Sequence, residues 1–382
     1  MKTIIIFLTT LFISFSIYAE KLTIYTYDSF VSEWGPGPII EKIFEEKHNA
    51  DIEFVAVDSA ATLLNKVILE GDTSKADIVL GLDMNLFDLA KQSELFTSHN
   101  INDINNLINL PLKWESNKFV PYNYGYFSFV YNKANLETPP KSMDELINST
   151  NARIVIQDPR TSTPGLGLLT WMKALYGKDA QSNWKKLNKK IISVTKGWTD
   201  AYYNFFMAGE ADLVLSYSSS PAAHIMFEEN NDISASTFEE GNYISIEFAG
   251  ILKSSKNKEM ANNFLNFMIS DDFQSVIPST NIMYPVTSVS LPEAYNKLEI
   301  PNTIQLDPKD INEIHKYIKD VVQSTSANNL VPKVMYGGSV TDKNAESFFK
   351  EEFVDGALVG GASLDGSTFA KIVNIFSGID KK

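Results

Sequence analysis

The chain has no cysteine in 382 residues, which excludes disulfides, thiolate metal sites and a cysteine-borne lipid anchor; stability has to come from core packing. Histidine is nearly as scarce. His48, His99, His224 and His315 are the whole set, and none falls at a metal-ligand spacing from another, so no metal is expected. His315 sits in a predicted helix and reads as a surface residue. There is no Walker loop and no nucleophile elbow. Basic residues are outnumbered, 33 Lys and Arg against 47 Asp and Glu, for a net charge of −14. With no basic cluster, a nucleic-acid-binding face is excluded, whereas an acidic field modestly attracts cations.

Long apolar runs are also missing, with one exception at the start. Residues 1–19 carry Lys2, an apolar run from Ile4 to Ile17, and Ala19 as the residue before cleavage. This reads as a cleaved signal peptide, and the run is too short to span a bilayer comfortably. The expectation is an exported periplasmic protein with no stable membrane insertion.

What the chain does have is aromatic and apolar content of 12% and 44%, enough for two or more domains with their own cores. LTIYTY reads as a strand, IIEKIFEEKH as a helix, Asp51–Val57 as a strand, Ala61–Glu70 as a helix and ADIVLGL as a buried strand. Strands alternating with helices argue an α/β fold with a parallel, doubly wound sheet, in which ligands bind at the carboxyl ends of strands. Tyr27, Asp28, Ser59 and Asp83 fall at those ends. A second unit follows PYNYGYFSFVYN, with RIVIQD and DLVLSY as strands, each leading through a hydroxyl-rich loop into a helix. Such loops offer hydroxyls and free N–H groups to an anion or a ligand carbonyl. The segment YISIEFAGILKSS then returns to the first unit. Two lobes joined by chain crossings describe a hinged binding protein.

Around Asp28 stand Tyr25, Tyr27, Phe30 and Trp34. Aromatic faces beside a carboxylate suit a flat organic cation, although ordinary core aromatics give the same pattern.

From about Leu22 to Pro301 the chain resembles the thiamine-binding periplasmic proteins of the ABC-transporter substrate-binding group. The matching segments are YTYDSFVSEWGPGP, SKADIVLGLD, FVPYNYGYFSFVY, IQDPRTSTPGLGLLTWM, VTKGW, GEADLVLSYSSSP and MYPV. The resemblance implies a two-lobed, class II type binding protein, with residues 20–115 plus 245–305 forming one lobe and 116–244 the other. It implies capture of thiamine or its phosphates, delivery to an ABC transporter permease, and no enzymatic activity or cofactor. By position, Tyr27, Trp34, Trp198 and Tyr217 would wall the aromatic rings, and Ser162, Thr163, Ser218, Ser219 and Ser220 would hold polar edges and any phosphate. Ser59 and Ala60 fall in a ligand-touching loop of the first lobe, where the family pattern has an acidic residue and glycine. Ile282 stands where the pattern has Trp; one lost aromatic wall removes about 1 kcal/mol of stacking or cation–π interaction. A thiazolium charge and a flat aminopyrimidine suit Tyr and Trp faces, and a phosphate tail suits the Ser162–Gly165 helix start.

Residues 306–382 change character. INEIHKYIKDVVQ, VPKVMYGGSV and FVDGALVGGASLDGSTFAKIV resemble the end of the triosephosphate isomerase (β/α)₈ barrel. Tyr336–Val340 and Gly360–Ser363 match that family's phosphate-gripping loops. A partial barrel fragment is therefore expected at the C-terminus, without the enzyme's catalytic Lys, His and Glu. Two alternatives stay open for the lobes, a polyamine or ferric ion as ligand. The tail alone suggests the isomerase.

Overall fold

β1 (Glu20–Tyr27) begins a parallel trio with β2 (Ala50–Val57) and β3 (Ile78–Asp83), each followed by a helical segment that covers its apolar side chains. The computed structural model describes residues 19–149, 151–305, 335–336, 342, 345–346, 356–357 and 366–378. Residues 1–18 of the expected signal segment 1–19, and His315, lie outside the described residues.

The remaining strands are β4 (Phe119–Asn132), β5 (Ile154–Gln157), β6 (Ile191–Thr195), β7 (Leu213–Tyr217), β8 (Ile233–Ala235), β9 (Asn242–Ile251), β10 (Tyr284–Pro285) and β11 (Thr303–Ile304). The main path runs β2-β1-β3-β9-β4-β7-β5-β6. Alternating strands and helices predict a parallel, doubly wound sheet, and two strands depart from it. β9 runs antiparallel to β3, and β4 runs antiparallel to both β9 and β7. These two strands carry the chain between lobes, and antiparallel neighbours need no crossover helix.

β4 shows how the lobes are joined. Its first half, Phe119–Tyr126, pairs with β9, and its second half, Phe127–Tyr131, pairs with β7. One core gathers Leu22, Ile24, Ile78, Leu80, Phe119 and Phe248; a second gathers Phe127, Phe129, Trp171 and Leu215. Each such side chain contributes about 1.5–3 kcal/mol when fully buried. Tyr217 touches both cores. The helix Pro221–Glu228 belongs by sequence to the second lobe, yet its Ala222 joins the first core.

The helix Thr163–Tyr176 lies so close to β4 that a Cβ on Gly167 would meet the Phe127 ring at 2.0 Å. Its first turn is as tight: a Cβ on Gly165 would meet the Gln157 carbonyl oxygen at 2.4 Å. Glycine at these two positions sets where the helix start sits.

In the C-terminal segment, β12 (Met335–Tyr336) pairs parallel with β13 (Gly356–Ala357), and a helix runs Gly366–Ser377. Gly337–Val340 and Gly360–Ser363 lie outside the described residues. Among the described residues, no helix is long and apolar enough to cross a membrane.

Candidate functional site

The carboxyl ends of β1, β2, β3, β5, β6 and β7 meet where the lobes face each other, which puts residues from both lobes around one cleft. Two polar contacts span it. Thr163 Oγ1 donates to Asp83 Oδ2 at 2.8 Å, and Lys196 Nζ lies 2.9 Å from Asp58 Oδ2. The second pair is exposed and contributes little. The first is enclosed: Asp83 is 1% exposed, and its Oδ1 accepts from the Asn85 N–H at 2.8 Å. Burial pushes the Asp83 carboxyl above the usual range, while the Thr163 and Asn85 hydrogen bonds pull it back. Ser59, Asp83, Ser162 and Thr163 line one small pocket between the lobes.

Thr163→Val removes a hydrogen bond to a charged group, worth about 1.5–3 kcal/mol, from the closed arrangement only. The expected outcome is a more open protein, read as a larger radius of gyration in small-angle X-ray scattering. Unchanged scattering would contradict a latch role for this pair.

Tyr27 closes β1. Its ring lies over Gly81, where a Cβ would meet it at 2.4 Å, and its phenol donates to Glu247 Oε2 at 3.0 Å. Tyr122 O–H also donates to that oxygen, and Asn123 Nδ2 donates to it at 2.8 Å. Burial raises the Glu247 carboxyl pKa, the three donors oppose the rise, and Asp83 adds to it. Tyr217 closes β7 from the other lobe; burial, then Glu247 and Asp83, push its phenol well above its ordinary value.

Trp198 follows β6. It stacks on Tyr202 with ring centres 4.6 Å apart and donates from Nε1 to Ser216 Oγ at 2.7 Å. Behind it, Tyr202 O–H faces His224 Nε2 at 2.9 Å, and His224 Nδ1 lies 2.8 Å from Glu228. The π-helical turn Asp200–Met207 supplies this backing, and such turns concentrate at functional sites.

The serine run divides in two. Ser220 Oγ bonds Ser216 Oγ at 2.7 Å and the Tyr217 N–H at 3.3 Å. Ser218 and Ser219 are buried, with hydroxyls that have no hydrogen-bond partner among the described residues. The Tyr284 phenol feels the Ser218 hydroxyl, but the two miss hydrogen-bond geometry. Buried hydroxyls left unpaired are costly, which is the condition a polar ligand relieves.

The structure thus links Tyr27 and Tyr217 through Glu247, sets Ser162 and Thr163 in one pocket with Asp83, and holds Trp198 on Ser216 in the strand that ends at Tyr217, just before Ser218 and Ser219. Trp34, Ser59, Ala60 and Ile282 differ in character. Trp34 is 61% exposed. Ser59 caps the helix Ala60–Glu70, accepting from the Thr62 N–H at 3.1 Å, and Ala60 is buried in that helix's first turn. Ile282 adopts φ +54°, a conformation that strains a β-branched residue; its side chain packs on the first core. Glu247, Tyr122 and Asn123 were not singled out from sequence. Their signal was present: Glu247 is the one charged residue in the apolar run YISIEFAGIL.

The family model of the bacterial extracellular solute-binding proteins matches residues 73–311. A thiamine-binding periplasmic protein of Escherichia coli K12 is 48% identical over 292 residues, covering 76% of this chain and 88% of that one. A solved structure of a periplasmic thiamin-binding protein superposes with a TM-score of 0.78 at 46% identity, covering 81% of this chain and 98% of the other. The triosephosphate isomerase family model matches residues 299–376. The Aquifex aeolicus isomerase is 44% identical over 70 residues, which is 18% of this chain and 28% of that enzyme.

Proposed function

Because the chain belongs to the bacterial extracellular solute-binding protein family, we propose that it captures thiamine in the cleft between its lobes and hands it to an ABC transporter permease. The observation that carries this reading is that Tyr27 of one lobe donates to Glu247, that the Glu247 charge reaches Tyr217 of the other, and that Tyr217 leads into the unpaired hydroxyls of Ser218 and Ser219. Relatives 48%, 47% and 42% identical over this span are named thiamine-binding periplasmic proteins. Flat rings bearing a fixed positive charge find π faces here, and their polar edges find hydroxyls.

The protein works in the periplasm as a carrier, without chemistry of its own, after removal of residues 1–19. Thiamine added in excess should raise the melting temperature, since a ligand that binds only the folded state stabilises it by RT ln(1 + [L]/Kd). No shift at millimolar thiamine would refute the assignment. The proposed lobes are residues 20–115 with 245–305, and 116–244.

The isomerase-like segment is a passenger in this account. A cut near Thr303 is ruled out as a clean test by the structure itself, because β11 pairs with β9 and Thr303 Oγ1 lies 3.1 Å from the Tyr126 hydroxyl. A chain ending after Gln305 keeps those contacts. It should fold and bind thiamine as the full chain does, and the full chain should turn over no glyceraldehyde 3-phosphate above background. Lost binding in the shortened chain, or measurable turnover in the full one, would contradict this reading.

A further inference from the structure

We propose that Glu247 is the counter-charge through which the cleft selects a permanently cationic ring over a neutral ring of the same shape. The inference rests on the thiamine reading above and assigns the residue that reads the charge.

The placement of the carboxylate carries the argument. Glu247 lies on β9 opposite Asp83 of β3 and Asn123 of β4, in the stretch where the chain passes between lobes. All three protein donors, from Tyr27, Tyr122 and Asn123, go to Oε2. Among the described residues no hydrogen bond reaches Oε1, and Glu247 keeps part of its surface exposed while its strand neighbours Ile246 and Phe248 are buried. One oxygen is fixed by these three donors, and the other takes none of them. Burial raises the phenol pKa of Tyr27 and of Tyr217, and the Glu247 charge raises both further.

Nothing basic cancels that charge. Among the described residues, no Lys or Arg forms an ion pair with Glu247 or Asp83, and the cleft lysine Lys196 is engaged by Asp58. A carboxylate drawn out of water with only neutral donors is under-compensated, and a cation placed beside it in an enclosed cleft interacts more strongly than it would in bulk water. Asp83 does not serve equally. Both of its oxygens are used, by the Asn85 N–H and the Thr163 hydroxyl, which leaves neither for a ligand.

The test compares the full-length parent, Glu247→Gln and Glu247→Asp by calorimetric titration with thiamine, then by competition with 3,4-dimethylthiazolium and with uncharged 4-methylthiazole. Gln keeps the size and one acceptor oxygen while removing the charge. The expected result is a loss of at least about tenfold in thiamine affinity for Glu247→Gln, the scale of one unpaired charge in a desolvated site. The parent and Glu247→Asp should both prefer the thiazolium to the thiazole, and Glu247→Gln should lose that preference. A Gln variant that binds thiamine within about twofold of the parent overturns the proposal, because the charge then contributes too little to matter. So does a parent that treats thiazolium and thiazole alike, and this arm decides the matter even if the Gln variant fails to fold. A parent that takes up no thiamine refutes the ligand assignment and this inference with it; thiamine binding without charge preference refutes the role of Glu247 alone.

Discussion

Tyr217→Ala weakens thiamine binding by about 1–3 kcal/mol, or roughly 5- to 150-fold, and Trp198→Ala does so on the same scale. Tyr217 touches the cores of both lobes and feels the Glu247 and Asp83 charges, so its ring occupies the seam that a bound ligand has to fill. Trp198 is fixed on one face by Tyr202 and at its edge by Ser216, which makes it a preorganised platform rather than a mobile flap. Tyr217→Phe retains the ring and should retain most of the affinity. The check is calorimetric titration of the three variants beside the parent. If both alanine variants bind as tightly as the parent, the aromatic walls are misassigned.

The second large effect is structural and comes from a single methyl group. In Gly165→Ala the new Cβ meets the Gln157 carbonyl oxygen at 2.4 Å and the Asp158 carbonyl carbon at 2.8 Å. Both are backbone atoms at the end of β5, so no side chain can swing aside. Either β5 or the start of the helix Thr163–Tyr176 has to move, at about 1–3 kcal/mol or more. The displaced helix start carries Ser162 and Thr163, and with them the hydrogen bond to Asp83. Gly165→Ala should therefore lower the midpoint of urea unfolding and weaken thiamine binding together. Gly177→Ala is the contrasting case: no atom lies within 4 Å of the added Cβ, and its penalty comes from φ +51° alone. Full stability and full affinity in Gly165→Ala would show that this turn does not hold the site.

Much of the scaffold was legible in the sequence because its strands are continuous apolar runs. ADIVLGL and RIVIQD needed no partner to be recognised, and the structure has them as β3 and β5. Direction was harder to read. Whether β4 and β9 run parallel or antiparallel depends on which lobe each end joins, and that is a long-range property. The site divided along the same line. The places of Tyr27, Tyr217 and the serine run in the fold were legible because each ends a strand or opens a helix. Glu247 sits in mid-strand, and its meaning appears only once Tyr27 and Tyr122, 220 and 125 residues away in sequence, converge on one of its oxygens. Thr163 shows the converse: its hydroxyl was expected at a ligand and is bonded across the cleft to Asp83.

Calorimetric titration of the protein lacking residues 1–19 with thiamine, spermidine and Fe³⁺ in parallel tests the central claim most directly. Thiamine should bind saturably and one-to-one, with spermidine and Fe³⁺ giving no comparable heat. Silence with thiamine alongside saturable binding of either cation would contradict it.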